Sequence, residues 1–250
     1  MGDRMKKFMH FTKIDSTNTY LKSIADTADD GTIVWADEQT NGRGRLNRSW
    51  TSKNGAGALF SVLVKRRVRA ENAVGLVFAA ALAAVKALEK ITDCTNFKIK
   101  WPNDLVLNGK KLCGIICEME ADGMNLSWAV IGIGINLKKQ PKTENTQQAT
   151  SIEEALGINT DALSVITTFS GYFNDCLKAW ENGELNKIID EIKPYSATIG
   201  QRVKVITGET EYEGEAIDIS PTGELKVKIN DEIKTVCYGD VSVRGIMGYA

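Results

Sequence analysis

The segment Glu71 to Ile91 constrains the fold more than any other. From Ala73 to Val85 every residue is apolar or glycine, so the predicted helix is apolar on nearly every face. Such a helix has no side to turn toward water and belongs in the centre of a domain, covered all round. The apolar run is also too short for a membrane span of about 20 residues. The chain must therefore supply elements that wrap it.

Those elements are readable. Phe11 to Ile14 predicts a first strand, and Asp15-Ser16-Thr17-Asn18 offers N-caps for a helix over Thr19 to Ala25. Thr32 to Ala36 and Ala58 to Val64 read as strands, and Lys98 to Trp101 as extended, with Pro102 biasing Trp101 away from helix. Asn108-Gly109 between Leu105-Val106-Leu107 and Lys110 to Met119 predicts a hairpin with a type I′ turn. Trp128 to Leu137 is another strand, with Gly132 and Gly134 marking close backbone approach. Ser151-Ile152-Glu153-Glu154 is a capping box for a short helix ended by Gly157; helices over Asp161 to Trp180 and Glu184 to Ile192 follow. From Arg202 to Arg244 short alternating runs, broken at Thr207-Gly208, Ser220 to Gly223 and Asn230-Asp231, predict about five antiparallel strands in a small barrel. The expected class is α+β, with a boundary near 196 separating domains 1–196 and 197–250.

The chemistry concentrates in two places. Gly42-Arg43-Gly44-Arg45-Leu46-Asn47-Arg48-Ser49-Trp50 combines glycines that let backbone N–H groups approach a ligand with three guanidinium forks suited to phosphate or carboxylate. Lys100-Trp101-Pro102-Asn103-Asp104 leads into the hairpin that carries Lys111. With a two-residue loop, Val106 opposes Lys111 and Asp104 opposes Cys113, which makes Asp104 and Lys111 diagonal neighbours at roughly 7–8 Å. An exposed cross-strand ion pair would satisfy the same pattern. Net charge is −1, so the loop is a local device rather than part of a basic field for nucleic acid. The chain has one histidine, His10, which disfavours Ser-His or Cys-His catalysis and reads as structural. Five cysteines without paired spacing suggest reduced thiols and a cytoplasmic home. Cys113 and Cys117 read as core thiols on a strand rather than metal ligands.

Taken in order, these motifs resemble the biotin protein ligases. Asp15 to Asn18, Gly42 to Arg45 with Arg48 and Trp50, Lys100 to Asp104, Lys111-Leu112 leading into Gly114-Ile115, and Gly132 to Asn136 all match. The resemblance implies a mixed-sheet catalytic domain of the biotin/lipoate ligase, class II synthetase-like type, followed by a small SH3-like β-barrel. It implies that biotin and ATP form biotinyl-AMP, and that biotin then passes to a lysine of a biotin carboxyl carrier domain. Ser16, Thr17, Asn18 and Gln39 would bind the biotin ring, and Arg43, Gly44, Arg45 and Lys111 its carboxylate side. Arg45 and Lys111 would be catalytic. Arg48, Trp50, Lys100, Asn103, Asp104, Asn136 and Arg244 would serve ATP, with Mg2+ arriving on the triphosphate and no metal site built by the protein.

Repressor members of that family carry a helix-turn-helix before the Asp-Ser-Thr-Asn region. Ten residues precede Phe11, so no DNA binding is expected, nor any membrane partner; a homodimer is left open. Leu46-Asn47 replaces the Arg-Gly frequent in relatives. A lipoate-type ligase is the nearest rival, though its arginine-plus-triple-glycine pattern is missing, and a non-catalytic biotin or nucleotide sensor is the rival of another class. Gly132-Ile133-Gly134 lacks the third glycine and the helix of a nicotinamide site.

Overall fold

The computed structural model describes residues 7–46, 48–140, 148–207, 210–239 and 241–245, with Val241 described for its backbone alone. In chain order the elements are β1 (Phe8–Ile14), α1 (Thr17–Ser23), β2 (Ile33–Gln39), β3 (Gly57–Val64), α2 (Gly75–Thr92), β4 (Phe97–Lys100), β5 (Asp104–Leu107), β6 (Lys110–Asp122), β7 (Asn125–Asn136), α3 (Ile152–Leu156), α4 (Ala162–Glu181) and α5 (Leu185–Ile192). Strands β8 (Arg202–Thr207), β9 (Thr210–Ile219), β10 (Leu225–Ile229), β11 (Glu232–Val236) and β12 (Val241–Gly245) complete the chain. The first seven strands form one sheet in the order β1-β2-β3-β7-β6-β5-β4, parallel only between β1 and β2. The last five form an antiparallel sheet, β11-β10-β9-β8-β12.

Helix α2 explains this layering. Its buried residues include both Leu76 and Phe78 and, a turn or more on, Val85 and Leu88. Helices α4 and α5 cover one side of it, and strands β4 to β7 the other. The predicted central helix is therefore found, starting at Gly75 after a 3-10 turn over Ala70–Val74. Gly75 permits the crossing with α4, because a Cβ there would lie 2.7 Å from the Trp180 ring. Ser16 caps α1, Ser151 caps α3 and Asp161 caps α4, each accepting a backbone N–H three residues on. Helix α1 starts two residues earlier than expected because Ser16, rather than Asn18, takes the cap.

The hairpin register needs a correction. Val106 does oppose Lys111, but Leu105 opposes Cys113 and Asp104 opposes Gly114. Leu112 is the additional residue of a β-bulge. Strict alternation would bury only one of Leu112 and Cys113, whereas the bulge lets both enter the core at 0% exposure. Cys113 is thus on the core face and not beside Asp104.

The second sheet packs against the first layer through Trp101. Its backbone N–H donates to Thr198 Oγ1 and its indole N–H to the Gly223 carbonyl, both at 2.9 Å. Gly223 has φ +98°, and a Cβ there would strike the ring of Phe78 in α2. Gly223→Ala combines left-handed strain with a core clash and should destabilise the protein by about 2–4 kcal/mol. A urea-unfolding midpoint equal to the native one would contradict this packing.

Candidate active site

A cavity of about 1540 Å³ opens beside the large sheet and against β12. Every residue expected to bind ligand lines it: Ser16, Thr17, Asn18, Gln39, Arg43, Gly44, Arg45, Arg48, Trp50, Lys100, Asn103, Asp104, Lys111, Asn136 and Arg244. Stretches far apart in sequence and the last strand, β12, meet there.

One end is a dense polar network built on the first turn of α1. Thr17 donates its backbone N–H to Gln39 Oε1 at 2.8 Å, and its hydroxyl lies 3.2 Å from the same oxygen. Ser61 Oγ lies 2.7 Å from Thr17 Oγ1 and 2.5 Å from Asn18 Oδ1. Asn18 Nδ2 donates to Glu118 Oε2 at 2.9 Å. Gly132 is the neighbour that makes room, since a Cβ there would overlap Asn18 Oδ1. Glu118 also receives Lys22 Nζ at 2.6 Å, with Arg43 Nη1 3.5 Å away. Burial alone would raise the pKa of Glu118; the hydrogen bonds from Lys22 and Asn18 and the nearby guanidinium outweigh it and hold the carboxyl below its usual range. Sequence reasoning missed Ser61, Lys22 and Glu118. In the run Cys117-Glu118-Met119-Glu120 nothing separates Glu118 from exposed Glu120.

The glycine-arginine segment is a closed turn. Arg43 and Ser49 form an antiparallel bridge, Trp50 N–H donates to Gly42 O at 2.9 Å, and Gly44 N–H to Arg48 O at 2.7 Å. The N–H groups of Gly44 and Trp50 are engaged inside the turn, which corrects the expectation that the loop turns its backbone N–H groups to a ligand. Leu46 sits at φ +54°, a conformation that glycine would adopt without strain. Arg45 donates Nη1 to Asn103 Oδ1 at 2.9 Å and Nη2 to Gly239 O at 2.6 Å, and its guanidinium lies 4.7 Å from the Tyr238 ring centroid. The connection between β11 and β12 therefore grips the loop arginine.

Trp50 anchors the turn onto the sheet. Added Cβ atoms at Gly114 and Gly134 would lie 2.9 and 2.6 Å from its ring, so only bare backbone admits the indole. Lys111 Nζ stands 5.7 Å from the Trp50 centroid and donates to Asp104 Oδ1 at 2.8 Å. The two hairpin residues thus meet directly as an ion pair, half-buried rather than exposed. Lys100 is buried, and its pKa is lowered to about 8: desolvation dominates, Asp104 opposes it, and Lys111, Arg244 and Arg48 reinforce it. Asn103 is fixed by its Nδ2 donating to Ile115 O at 2.8 Å, and Asn136 by donating to Thr150 O at 3.0 Å. His10, by contrast, stacks on Trp35 and bonds Asp37 outside the cavity. Burial pushes the thiols of Cys113 and Cys117 up, the latter to about 12, so neither supplies a thiolate near neutral pH.

A site that gathers guanidinium and ammonium groups beside a neutral polar pocket suits an acid joined to a polyphosphate. Comparison with known proteins agrees. The biotin/lipoate A/B protein ligase family model matches residues 10–136, and the biotin protein ligase C-terminal domain model matches residues 198–244. The bifunctional ligase/repressor BirA of Bacillus subtilis (strain 168) is 32% identical over 234 residues, covering 92% of this chain and 72% of that protein. The biotin–acetyl-CoA-carboxylase ligase of Mycobacterium tuberculosis is 30% identical over 232 residues, covering 90% and 85%. Among solved structures, the biotin protein ligase from Aquifex aeolicus in complex with biotin and ATP superposes with a TM-score of 0.84 at 29% identity, covering 96% of this chain and 99% of that one. The chain belongs to the biotin/lipoate A/B protein ligase family.

Proposed function

We propose that this protein is a biotin protein ligase: it joins biotin to the α-phosphate of ATP, releases pyrophosphate, and transfers biotin to a lysine of a biotin carboxyl carrier domain. The observation that carries this reading is the convergence of Arg43, Arg45, Arg48, Lys100, Lys111 and Arg244 on one cavity with the Ser16-Thr17-Asn18 pocket. Relatives with that named activity support it.

The difficulty of the first step is electrostatic. A carboxylate must approach an anionic phosphate, and at about 4 Å and an effective dielectric of roughly 20 one like-charge pair costs about 4 kcal/mol. In our reading Lys111 leaves Asp104 for the incoming carboxylate and α-phosphate oxygens, and Arg43 and Arg45 close from the loop. Their charges offset the repulsion and stabilise the pentacoordinate transition state. Ser16, Thr17, Asn18 and Gln39 hold the ureido ring, whose N–H and carbonyl groups need short polar partners. Arg48, Trp50, Lys100, Asn103, Asp104, Asn136 and Arg244 take the nucleotide side. In this reading Mg2+ arrives on the triphosphate itself. Bound there, it would neutralise the leaving pyrophosphate. The turn over residues 42–50 would shield the mixed anhydride from water until the acceptor lysine attacks.

The same reading divides the chain into a catalytic domain, 1–196, and a C-terminal domain, 197–250, with Arg45 bridging them. It gives the protein a biotin carboxyl carrier domain as partner and the cytoplasm as location. No helix among the described residues is long and apolar enough to cross a membrane. A homodimer is compatible with it.

Two outcomes test the proposal. The protein should release pyrophosphate from ATP in a biotin-dependent manner, and Lys111→Ala should slow that release by roughly 10²–10³-fold. Release that lipoate supports as well as biotin, or a Lys111→Ala rate near the native one, would contradict it. Lys100 is charged below about pH 8 and neutral above it, so ATP affinity should fall as pH rises through 8. Lys100→Gln should bind ATP more weakly and lose that pH limb; an unchanged profile in a direct titration would remove Lys100 from the nucleotide site.

A further inference from the structure

Glu118 does not line the cavity, and the chemistry above gives it no task. Yet its carboxylate collects Asn18 Nδ2 at 2.9 Å, Lys22 Nζ at 2.6 Å and Arg43 Nη1 at 3.5 Å. Those partners come from the first helix and from the glycine-arginine turn. A half-buried carboxylate with three cationic or N–H donors is far better satisfied than a surface glutamate requires.

The hydrogen-bond polarity is decisive. An ionised carboxylate accepts and never donates. Asn18 must therefore turn its amide nitrogen to Glu118 and its Oδ1 the other way. There Ser61 Oγ, 2.5 Å off, supplies its single proton, because Oδ1 has none to give. Oδ1 fits there because Gly132 has no Cβ to meet it. Asn18, which lines the cavity, is thereby held in one amide orientation. A neutral residue at 118 able to donate would let the amide stand either way round.

We propose that Glu118 is a positioning residue of the biotin site: it fixes the orientation of the Asn18 amide and, through Arg43, ties the ring-binding helix to the first arm of the loop. This rests on reading the cavity as a biotin site. The depressed pKa of Glu118 is consistent, since it keeps the carboxylate ionised through the neutral range.

Glu118→Gln retains shape and one acceptor oxygen but adds a donor and removes the charge. Its KM for biotin should rise about tenfold or more while kcat for adenylate formation stays within about threefold. That penalty should vanish in an Asn18→Ala background, a non-additivity that general destabilisation would not produce. Unchanged biotin KM, a fall in kcat alone, or a penalty persisting in full without Asn18 would each overturn the assignment. Should Glu118→Gln fail to fold, Glu118→Asp, which keeps the charge but shortens the reach to Asn18, must show the same rise in biotin KM, and a native value would overturn it equally. A separate measurement needs no substrate: the Asn18 side-chain amide resonance should shift and broaden in Glu118→Gln. Native protein that makes no biotinyl adenylate would sink the ligase reading, whereas an unmoved Asn18 resonance would sink the positioning role alone.

Discussion

The seating of Trp50 on bare backbone is the contact from which the rest of the site follows. Gly114 on β6 and Gly134 on β7 are paired neighbours in the sheet, and together they make a shallow depression without Cβ atoms. The indole fills it and so fixes the C-terminal end of a turn whose other end is bonded back at Gly42. Lys111 is carried past the same ring by β6. Guanidinium and ammonium groups distant in sequence thereby reach one cavity. Burial is the main cause of the lowered pKa of Lys100, and repulsion from the neighbouring Lys111, Arg244 and Arg48 adds to that cost. A site that maintains it is matched to an anionic occupant.

The second sheet contributes to this arrangement instead of standing apart. Trp101 links it to the core, and the Gly239 carbonyl and Tyr238 ring hold Arg45. Burial raises the Tyr238 phenol to about pH 12 despite the arginine beside it, so the ring stays neutral and presents only its π face. Arg45 therefore has one set of partners in the protein and is proposed to take another set when biotin and ATP are bound. The same holds for Lys111, now paired with Asp104. Exchange of protein partners for substrate partners keeps buried charge satisfied in both conditions, which limits the desolvation cost of binding.

Much of this was legible in the sequence because the informative signals are short-range. Capping at Ser151, the Asn108-Gly109 hairpin and the all-round apolar helix each depend on a few neighbouring residues, and each is found. The five C-terminal strands are found, and the three predicted breaks separate the first four of them; the break between β11 and β12 carried no such signal. Hairpin spacing alone brought Asp104 and Lys111 together, but gathering the whole candidate site took the family resemblance, since no spacing rule places Arg244 near Lys100. Three things were not legible. The Leu112 bulge arises because two adjacent apolar side chains both gain from burial, a tertiary preference that overrides alternation. The internal bonding of the loop N–H groups depends on the bridge between Arg43 and Ser49. Glu118 looks like any strand glutamate until the fold brings Asn18, Lys22 and Arg43 to it.

The central claim is that fixed cations cancel the repulsion between an acid and a nucleoside triphosphate. Calorimetric titration of a non-hydrolysable ATP analogue into protein saturated with biotin, or with the corresponding alcohol biotinol, tests it most directly. The account predicts that the nucleotide binds at least as tightly beside the carboxylate as beside the alcohol. A nucleotide affinity about tenfold or more weaker in the presence of biotin than of biotinol would show uncancelled repulsion and contradict it.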